Sequence, residues 1–323
     1  MVEKPRAVLV SGATGFLGRR LCERLRREGE EVIALGRREV DGPWEAFVEV
    51  DLAREELPRE GLREVGTVFH LASKAHAVAE SADEAEDYRP IIVGGTRRML
   101  RAASALGARQ FIFVSSVKAM GEGNPSGIPL FPLDETSPHT PQGPYGRAKV
   151  EAESMVLESD IEHTVVLRPT MVFGSGEKGN LPRMVEAVRR GRFPPIPECG
   201  NKRSMIHVDD VVEFTLRAGQ FPRACGRTYI LCHPVPVSTR QLYDAIRLSL
   251  GMPVQPYSVP SWILTGAAGA GSLAGALLGR RLPFDLETLR KLTGSAWYSP
   301  ARAGRELRYT ARHPVLDWIR EGW

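Results

Sequence analysis

Tyr145 and Lys149 stand four residues apart in Tyr145-Gly146-Arg147-Ala148-Lys149. On an α-helix that spacing stacks two side chains on one face. The Lys149 ammonium is then expected to sit near the Tyr145 phenol and favour its ionised form, lowering a pKa that starts near ~10. An ionised phenol near neutral pH takes a proton from a secondary alcohol while a hydride leaves the same carbon. Ser116, just past the apolar run Phe111–Val114, is placed to hydrogen-bond the same oxygen. Ser116, Tyr145 and Lys149 are the candidate catalytic residues.

Such a set needs a hydride acceptor and elements that hold both. The start of the chain provides a candidate for the first. Ala7–Val10 reads as a buried parallel strand, and Gly12, Gly15 and Gly18 follow with G-x-x-G-x-x-G spacing. Leu17, Leu21 and Leu25 then line one face of a helix. Glycine lets the backbone turn tightly and approach a pyrophosphate, and the helix N-terminus presents free N–H groups to it. A second β-branched run, Glu31–Leu35, follows at once. A lone glycine triplet is weak evidence, but this context makes it a dinucleotide-binding turn. Its members Gly12, Thr14, Gly15, Phe16, Leu17 and Gly18 are candidate cofactor contacts.

Strands and helices alternate up to about Pro169. Strands are expected at Ala7–Val10, Glu31–Leu35, Ala46–Val50, Thr67–His70, Phe111–Val114 and His163–Leu167. Helices are expected at Gly15–Glu28, around Ala82–Gly107 and at Tyr145–Ser159. This alternation predicts α/β architecture: a doubly wound parallel sheet, with the chemistry at its carboxyl edge. Gly121–Pro144 reads as a long functional loop. Past Pro169 prolines cluster and periodicity weakens, which predicts a smaller mixed α/β substrate domain. A helix at Val208–Ala218 and a strand at Thr228–Cys232 are expected to return to the first sheet. The division expected is 1–172 with 206–232, and 173–205 with 233–323.

The chain has 323 residues, 42% hydrophobic and 25% charged, with a net charge of +4. That length holds one large or two modest domains. The charge is too mild to argue for nucleic acid. Cys22, Cys199, Cys225 and Cys232 show no metal-ligand spacing, so no metal is assigned and reduced thiols in a cytoplasmic protein are expected. No signal peptide is read at the N-terminus. Trp262–Leu278 is uncharged and rich in Gly and Ala; it is too short for a membrane span. It is expected to form a helical hairpin, with a membrane-facing patch as the alternative.

These motifs together carry a resemblance. The chain resembles the extended short-chain dehydrogenases/reductases over nearly its whole length. The motifs are the glycine turn, Val50-Asp51-Leu52, His70-Leu71-Ala72-Ser73, Val114-Ser115-Ser116, Tyr145 to Lys149, Leu167-Arg168-Pro169, and Arg203 to Asp210. Within that family it looks most like nucleotide-sugar epimerases and 4-ketoreductases related to UDP-glucose 4-epimerase. The resemblance implies that Asp51 and Leu52 meet the adenine. It implies that Leu71, Ala72 and Ser73 line the cofactor, with Pro169 to Val172 beside the nicotinamide. It places Lys149 on the nicotinamide ribose. Lys118, Asn180, Leu181 and Arg203 would join Ser116 at a UDP-hexose, and the protein would be a homodimer. Three departures stand out. Ile92 occupies the family's Asn position before Val93-Gly94-Gly95-Thr96, Ala148 replaces a common Ser, and the epimerases' Arg-x-Gly-Asp stretch near the C-terminus is absent.

The end of the second strand bears on the cofactor. NAD sites place an acid there for the ribose hydroxyls. Here Leu35-Gly36-Arg37-Arg38 offers Arg37, which suits a 2′-phosphate and favours NADP over NAD. His70 reads as a core position, while His76, His139 and His207 are expected to border the site. The expected function is redox chemistry at C4 of a nucleotide-activated hexose. The alternatives are an NADP-dependent reductase of a hydrophobic alcohol or ketone such as a steroid, and a non-catalytic dinucleotide sensor.

Overall fold

Seven parallel strands form the centre of the molecule, in the order β3-β2-β1-β4-β5-β6-β9. They are β1 (Ala7–Ser11), β2 (Val32–Gly36), β3 (Ala46–Glu49), β4 (Val65–His70), β5 (Gln110–Val114), β6 (His163–Pro169) and β9 (Arg227–Leu231). This computed structural model describes residues 7–58, 62, 64–73, 88–121, 130–177, 179–279 and 284–322. His76 lies outside them, as do residues 82–87 of the expected second helix and 122–129 of the long loop.

The inner strands are short runs of Val, Ile, Leu and Phe because both faces of the sheet are covered there, whereas the edge strand β3 is exposed or half-buried. All seven residues of β6 are buried. On one face, α1 (Phe16–Arg27) and α5 (Val208–Gln220) close a core that includes Val10, Leu21, Leu25, Phe214 and Tyr229. On the other, α2 (Gly95–Ala105) and α3 (Gly143–Leu157) cover Leu9, Phe111, Phe113 and Val166. A π-type turn, Pro90–Gly94, leads into α2 and buries Ile92.

The chain runs outward from β1 to β2 and β3, then crosses back to pair β4 with the other side of β1. That reversal opens a crevice at the carboxyl ends of β1 and β4. The glycine turn leaves β1 there, and Leu71–Ser73 leaves β4. β9 joins beside β6, as its position after α5 suggested.

A second core forms beyond the sheet. β7 (Met171–Phe173) pairs in parallel with β8 (Met205–His207). Phe173, Leu181, Val185 and Met205 then pack with α4 (Asn180–Arg189), α6 (Thr239–Ser249) and α10 (Val315–Glu321). α7 spans Ser261–Leu277, and α8 (Leu286–Thr293) and α9 (Ala301–Glu306) follow it. The expected hairpin at Trp262–Leu278 is instead one continuous helix. Its Gly and Ala residues have no Pro among them to break it, and it rests on α8 through Leu264, Ala268 and Leu289.

Candidate active site

Steric contacts explain the glycines. Gly12 has φ +71°, and a Cβ there would lie 2.8 Å from Ala72 N and 2.9 Å from Leu71 C. A Cβ on Gly18 would fall 2.1 Å from Gly12 O, so only glycine lets α1 sit this close to the end of β1. Gly15 precedes α1, and no side chain caps that helix. Its first N–H groups are therefore left at the crevice, where a pyrophosphate would satisfy them. The cradle fits a dinucleotide. Thr14 is exposed beside Gly36 at the end of β2. Arg37 comes next, exposed and without an ion pair.

The end of β5 and the N-terminal half of α3 bring the three candidate catalytic residues together. The Tyr145 phenol is packed edge-on against Tyr88, with ring centroids 5.5 Å apart. The Ser73 and Ser116 hydroxyls both lie against it. Ser73 Oγ is buried and makes no hydrogen bond of full geometry, so it is a polar group still seeking a partner. Ser116 Oγ also accepts from the Lys118 N–H at 3.2 Å, which fixes the turn Val117–Ala119. Lys149 Nζ sits 5.9 Å from the Tyr145 ring centroid and 4.7 Å from that of Phe113. It donates to Val114 O at 3.0 Å.

The electrostatics correct the expectation for Tyr145. Burial pushes the phenol up to about 12, while Ser73 and Ser116 pull the other way. The ammonium is bonded to Val114 O and lies 5.9 Å from the Tyr145 ring centroid, with no hydrogen bond between the two among the described residues. Burial also drives Lys149 down to about 8, and the Glu153 carboxylate opposes that fall. The desolvation cost of charging a buried group outweighs the i,i+4 attraction here.

Two buried networks escaped the motif reading. Glu153, four residues after Lys149 on the same face of α3, takes a bidentate grip from Arg168: Nε to Oε1 at 3.0 Å and Nη2 to Oε2 at 2.5 Å. Both side chains are almost fully buried. Ser115 Oγ also donates to Glu153, and Arg168 Nη1 meets His139 Nε2 at 3.1 Å. The Tyr145, Lys149, Glu153 spacing was the available signal. The second network starts at Ser11 Oγ, which accepts from Leu71 and Ala72 N–H groups and must then donate to His70 Nδ1, 2.6 Å away. His70 Nε2–H in turn donates to Thr96 Oγ1, whose proton goes to Ile92 O. That chain requires a neutral imidazole, and burial with nearby Lys149 holds His70 down at about 3.

The other candidates spread along the same cleft. Leu52 is buried against Ile92 and Val93, while the Asp51 carboxylate binds the Ala53 N–H in its own turn. Pro169 closes β6, and Val172 packs behind it in β7. Asn180 is exposed at the start of α4 and Leu181 is buried next to it. Glu177 was missed. It receives the backbone N–H groups of Gly179 and Leu181, burial pushes it up to about 7, and its Oε2 has no partner. Arg203 Nη1 donates to Lys291 O at 2.7 Å and Gly294 O at 3.3 Å. It borders a cavity with Met205, His233, Val237 and Arg320; Ser116, Tyr145 and Lys149 take no part in that lining. His207 lies tilted against His313, with ring centroids 4.7 Å apart, and its Nε2 faces the Cα of Gly174 next to Phe16. Among the described residues no His, Cys, Asp and Glu cluster could hold a metal.

The profile of the NAD dependent epimerase/dehydratase family matches residues 8–232. The chain belongs to this family. It is an enzyme of the extended short-chain dehydrogenase/reductase type and takes a nicotinamide dinucleotide. UDP-glucose 4-epimerase of Vibrio cholerae is 27% identical over 322 residues, 95% of each chain. A 4-hydroxy-2-methyl-3-oxo-4-farnesyl-3,4-dihydroquinoline-1-oxide ketoreductase of Stigmatella aurantiaca is 29% identical, over 97% of this chain and 95% of its own. Among solved structures, MoeE5 in complex with UDP-glucose and NAD shares the fold with a TM-score of 0.73 at 23% identity, over 97% of this chain and 96% of that one.

Proposed function

We propose that this enzyme is an NAD(P)-dependent oxidoreductase or epimerase acting at C4 of a nucleotide-activated hexose, with UDP as the nucleotide. The observation that carries the reading is the Tyr145 phenol with the Ser73 and Ser116 hydroxyls beside it and Lys149 on the same helix face, at the carboxyl edge of the sheet near the glycine cradle. The bound dinucleotide supplies hydride acceptance and return. Tyr145 Oη exchanges the proton of the sugar hydroxyl, and Ser116 Oγ orients that oxygen. Ser73 Oγ, still unpartnered, gives the same oxygen a second polar contact. Lys149 binds the nicotinamide ribose from its place on Val114 O. Asn180, Leu181 and Arg203 hold the UDP with Lys118. Arg203 offers a planar fork of donors for the diphosphate.

Arg37 favours NADP. It is exposed, unpaired and one residue past β2, where a 2′-phosphate would meet it. The names of two relatives divide over the substrate: one acts on UDP-glucose, the other on a farnesylated ketone. Ile92, apolar at the family's Asn position, keeps a hydrophobic ketone as the second reading. The intact Ser, Tyr and Lys set speaks against a sensor without turnover. The division into 1–172 with 206–232, and 173–205 with 233–323, belongs to the same proposal, as do the homodimer and a cytoplasmic location. Incubating the holoenzyme with a panel of UDP-hexoses tests the function. An epimerised product or a cofactor absorbance change that Arg203→Ala weakens through KM is the expected result. No turnover and no calorimetric binding of any UDP-hexose would transfer the assignment to the ketone reading.

A further inference from the structure

From Leu248 to Gly279 no residue carries a charge, in a chain that is 25% charged. α7 makes up most of that stretch. Its buried seam is Leu264, Ala268 and Gly275, against Phe193, Phe284 and Leu289. At 100° per residue, Trp262, Gly266, Leu273 and Leu277 project opposite the seam. Trp262 is 75% exposed, Leu273 66% and Leu277 81%. A surface helix ordinarily turns charged residues outward; one that is apolar all round belongs in an apolar medium. Seventeen residues extend about 26 Å, and no helix among the described residues is long and apolar enough to cross a membrane.

We propose that α7 docks the enzyme on a lipid bilayer, lying in the plane of the interface with Trp262, Leu273 and Leu277 among the acyl chains. Three observations favour lipid over a protein partner. The outward face carries no charged group and no amide that would specify a mating surface. Trp262, with Tyr257 also exposed nearby, gives one end the amphipathic rings that settle at headgroup level. The rim carries unpaired cations. Arg192 adjoins Phe193 of the same cluster, and Arg290 lies one turn after Leu286, whose N–H is bonded to Ser272 Oγ on α7. Both arginines are exposed and without an ion pair, whereas Glu287 is matched by Lys291 and Asp285 caps α8. Apolar area plus exposed arginines suits an anionic membrane surface. The proposal does not depend on the substrate assigned above.

Co-sedimentation of the cofactor-loaded enzyme with vesicles tests it, using phosphatidylcholine alone and phosphatidylcholine mixed with phosphatidylglycerol. The wild type is expected to pellet with the mixed vesicles and less with the neutral ones. The double variant Leu273→Glu with Leu277→Glu should lose on the order of tenfold or more in partition, with its melting temperature and cofactor affinity unchanged. Trp262→Ser should lose less. Arg192→Gln with Arg290→Gln should lose affinity only on the phosphatidylglycerol vesicles. Wild type that stays in the supernatant overturns the proposal, as does a Leu273→Glu, Leu277→Glu variant that pellets like wild type. A light-scattering oligomer broken by that variant, without vesicle binding, would assign the face to a second copy of the chain.

Discussion

Replacing Lys149 by Met deletes a buried ammonium and keeps most of its aliphatic stem. Burial takes that ammonium from an ordinary 10.5 to about 8 in the folded protein. The unfolded chain therefore binds more protons than the native one between those two values, and stability rises with pH across that window. At pH 7 both states are protonated, and keeping the charge buried costs about 3 kcal/mol. At pH 9.5 the native lysine has shed its proton while the unfolded one largely retains it, and the cost falls to about 1 kcal/mol. Wild type should thus gain about 2 kcal/mol relative to Lys149→Met between the two pH values.

Urea unfolding of both proteins at pH 7 and 9.5 measures the double difference. Comparing two proteins cancels the other groups that titrate in this range. The thiols of Cys22 and Cys232, which burial holds at about 12, act in the opposite direction and are common to both. The bond to Val114 O is lost in the variant, which shifts both readings together. A double difference near zero, or of opposite sign, would show that Lys149 keeps its ordinary affinity for protons and would refute the desolvation argument.

Three further outcomes follow from the same geometry. Tyr145→Phe should keep cofactor affinity and slow turnover by on the order of a hundredfold or more, and an ultraviolet titration of the cofactor-free protein should show no Tyr145 phenolate below pH 10, since burial holds it near 12; phenolate absorbance that is lost in Tyr145→Phe at lower pH would contradict this. Glu153→Gln should destabilise the fold by about 3–5 kcal/mol in urea, because Arg168 would stay buried without its counter-charge; Glu153→Leu with Arg168→Met should recover most of the loss. Arg37→Asp should weaken NADP binding tenfold or more, the worth of one charge-assisted contact of about 1.5–3 kcal/mol, with NAD affinity unchanged or raised in a fluorescence titration.

The fold was legible because its signals are local. The apolar runs of the first 170 residues became strands within a residue or two, since a fully covered parallel sheet needs short β-branched segments. The glycine turn was legible because sterics at Gly12 and Gly18 admit no other residue. What stayed hidden was long-range pairing. Nothing near Glu153 in the sequence announces Arg168, and Ser11, His70 and Thr96 meet only when β1, β4 and α2 are assembled. Glu177 was hidden because its burial depends on how the chain enters α4. The phenol's direction was misjudged because i,i+4 spacing reports proximity and says nothing of desolvation. Trp262–Leu278, uncharged and rich in Gly and Ala, suggests a helical hairpin, whereas one unbroken helix satisfies its interior backbone groups without a turn.

The upward shift of Tyr145 bears on the chemistry. Glu153 raises the proton affinity of Tyr145 and of Lys149 alike, both of which precede it on the same helical face. Arg168 holds this carboxylate in place from β6, the strand whose end carries Pro169 toward the crevice. At neutral pH the phenol is therefore protonated and the ammonium charged, so the cofactor-free site rests as an acid. In the proposed reaction that state is the one that returns a proton to a ketone oxygen. Removing a proton from an alcohol first requires Tyr145 to ionise, against a barrier that burial sets and the Ser73 and Ser116 hydroxyls lower. Ser73 Oγ, buried without a full partner, is the donor free to strengthen when the oxygen beside it gains charge. In the proposed reaction the oxidative half, which needs the Tyr145 phenolate, is the one whose rate should climb with pH.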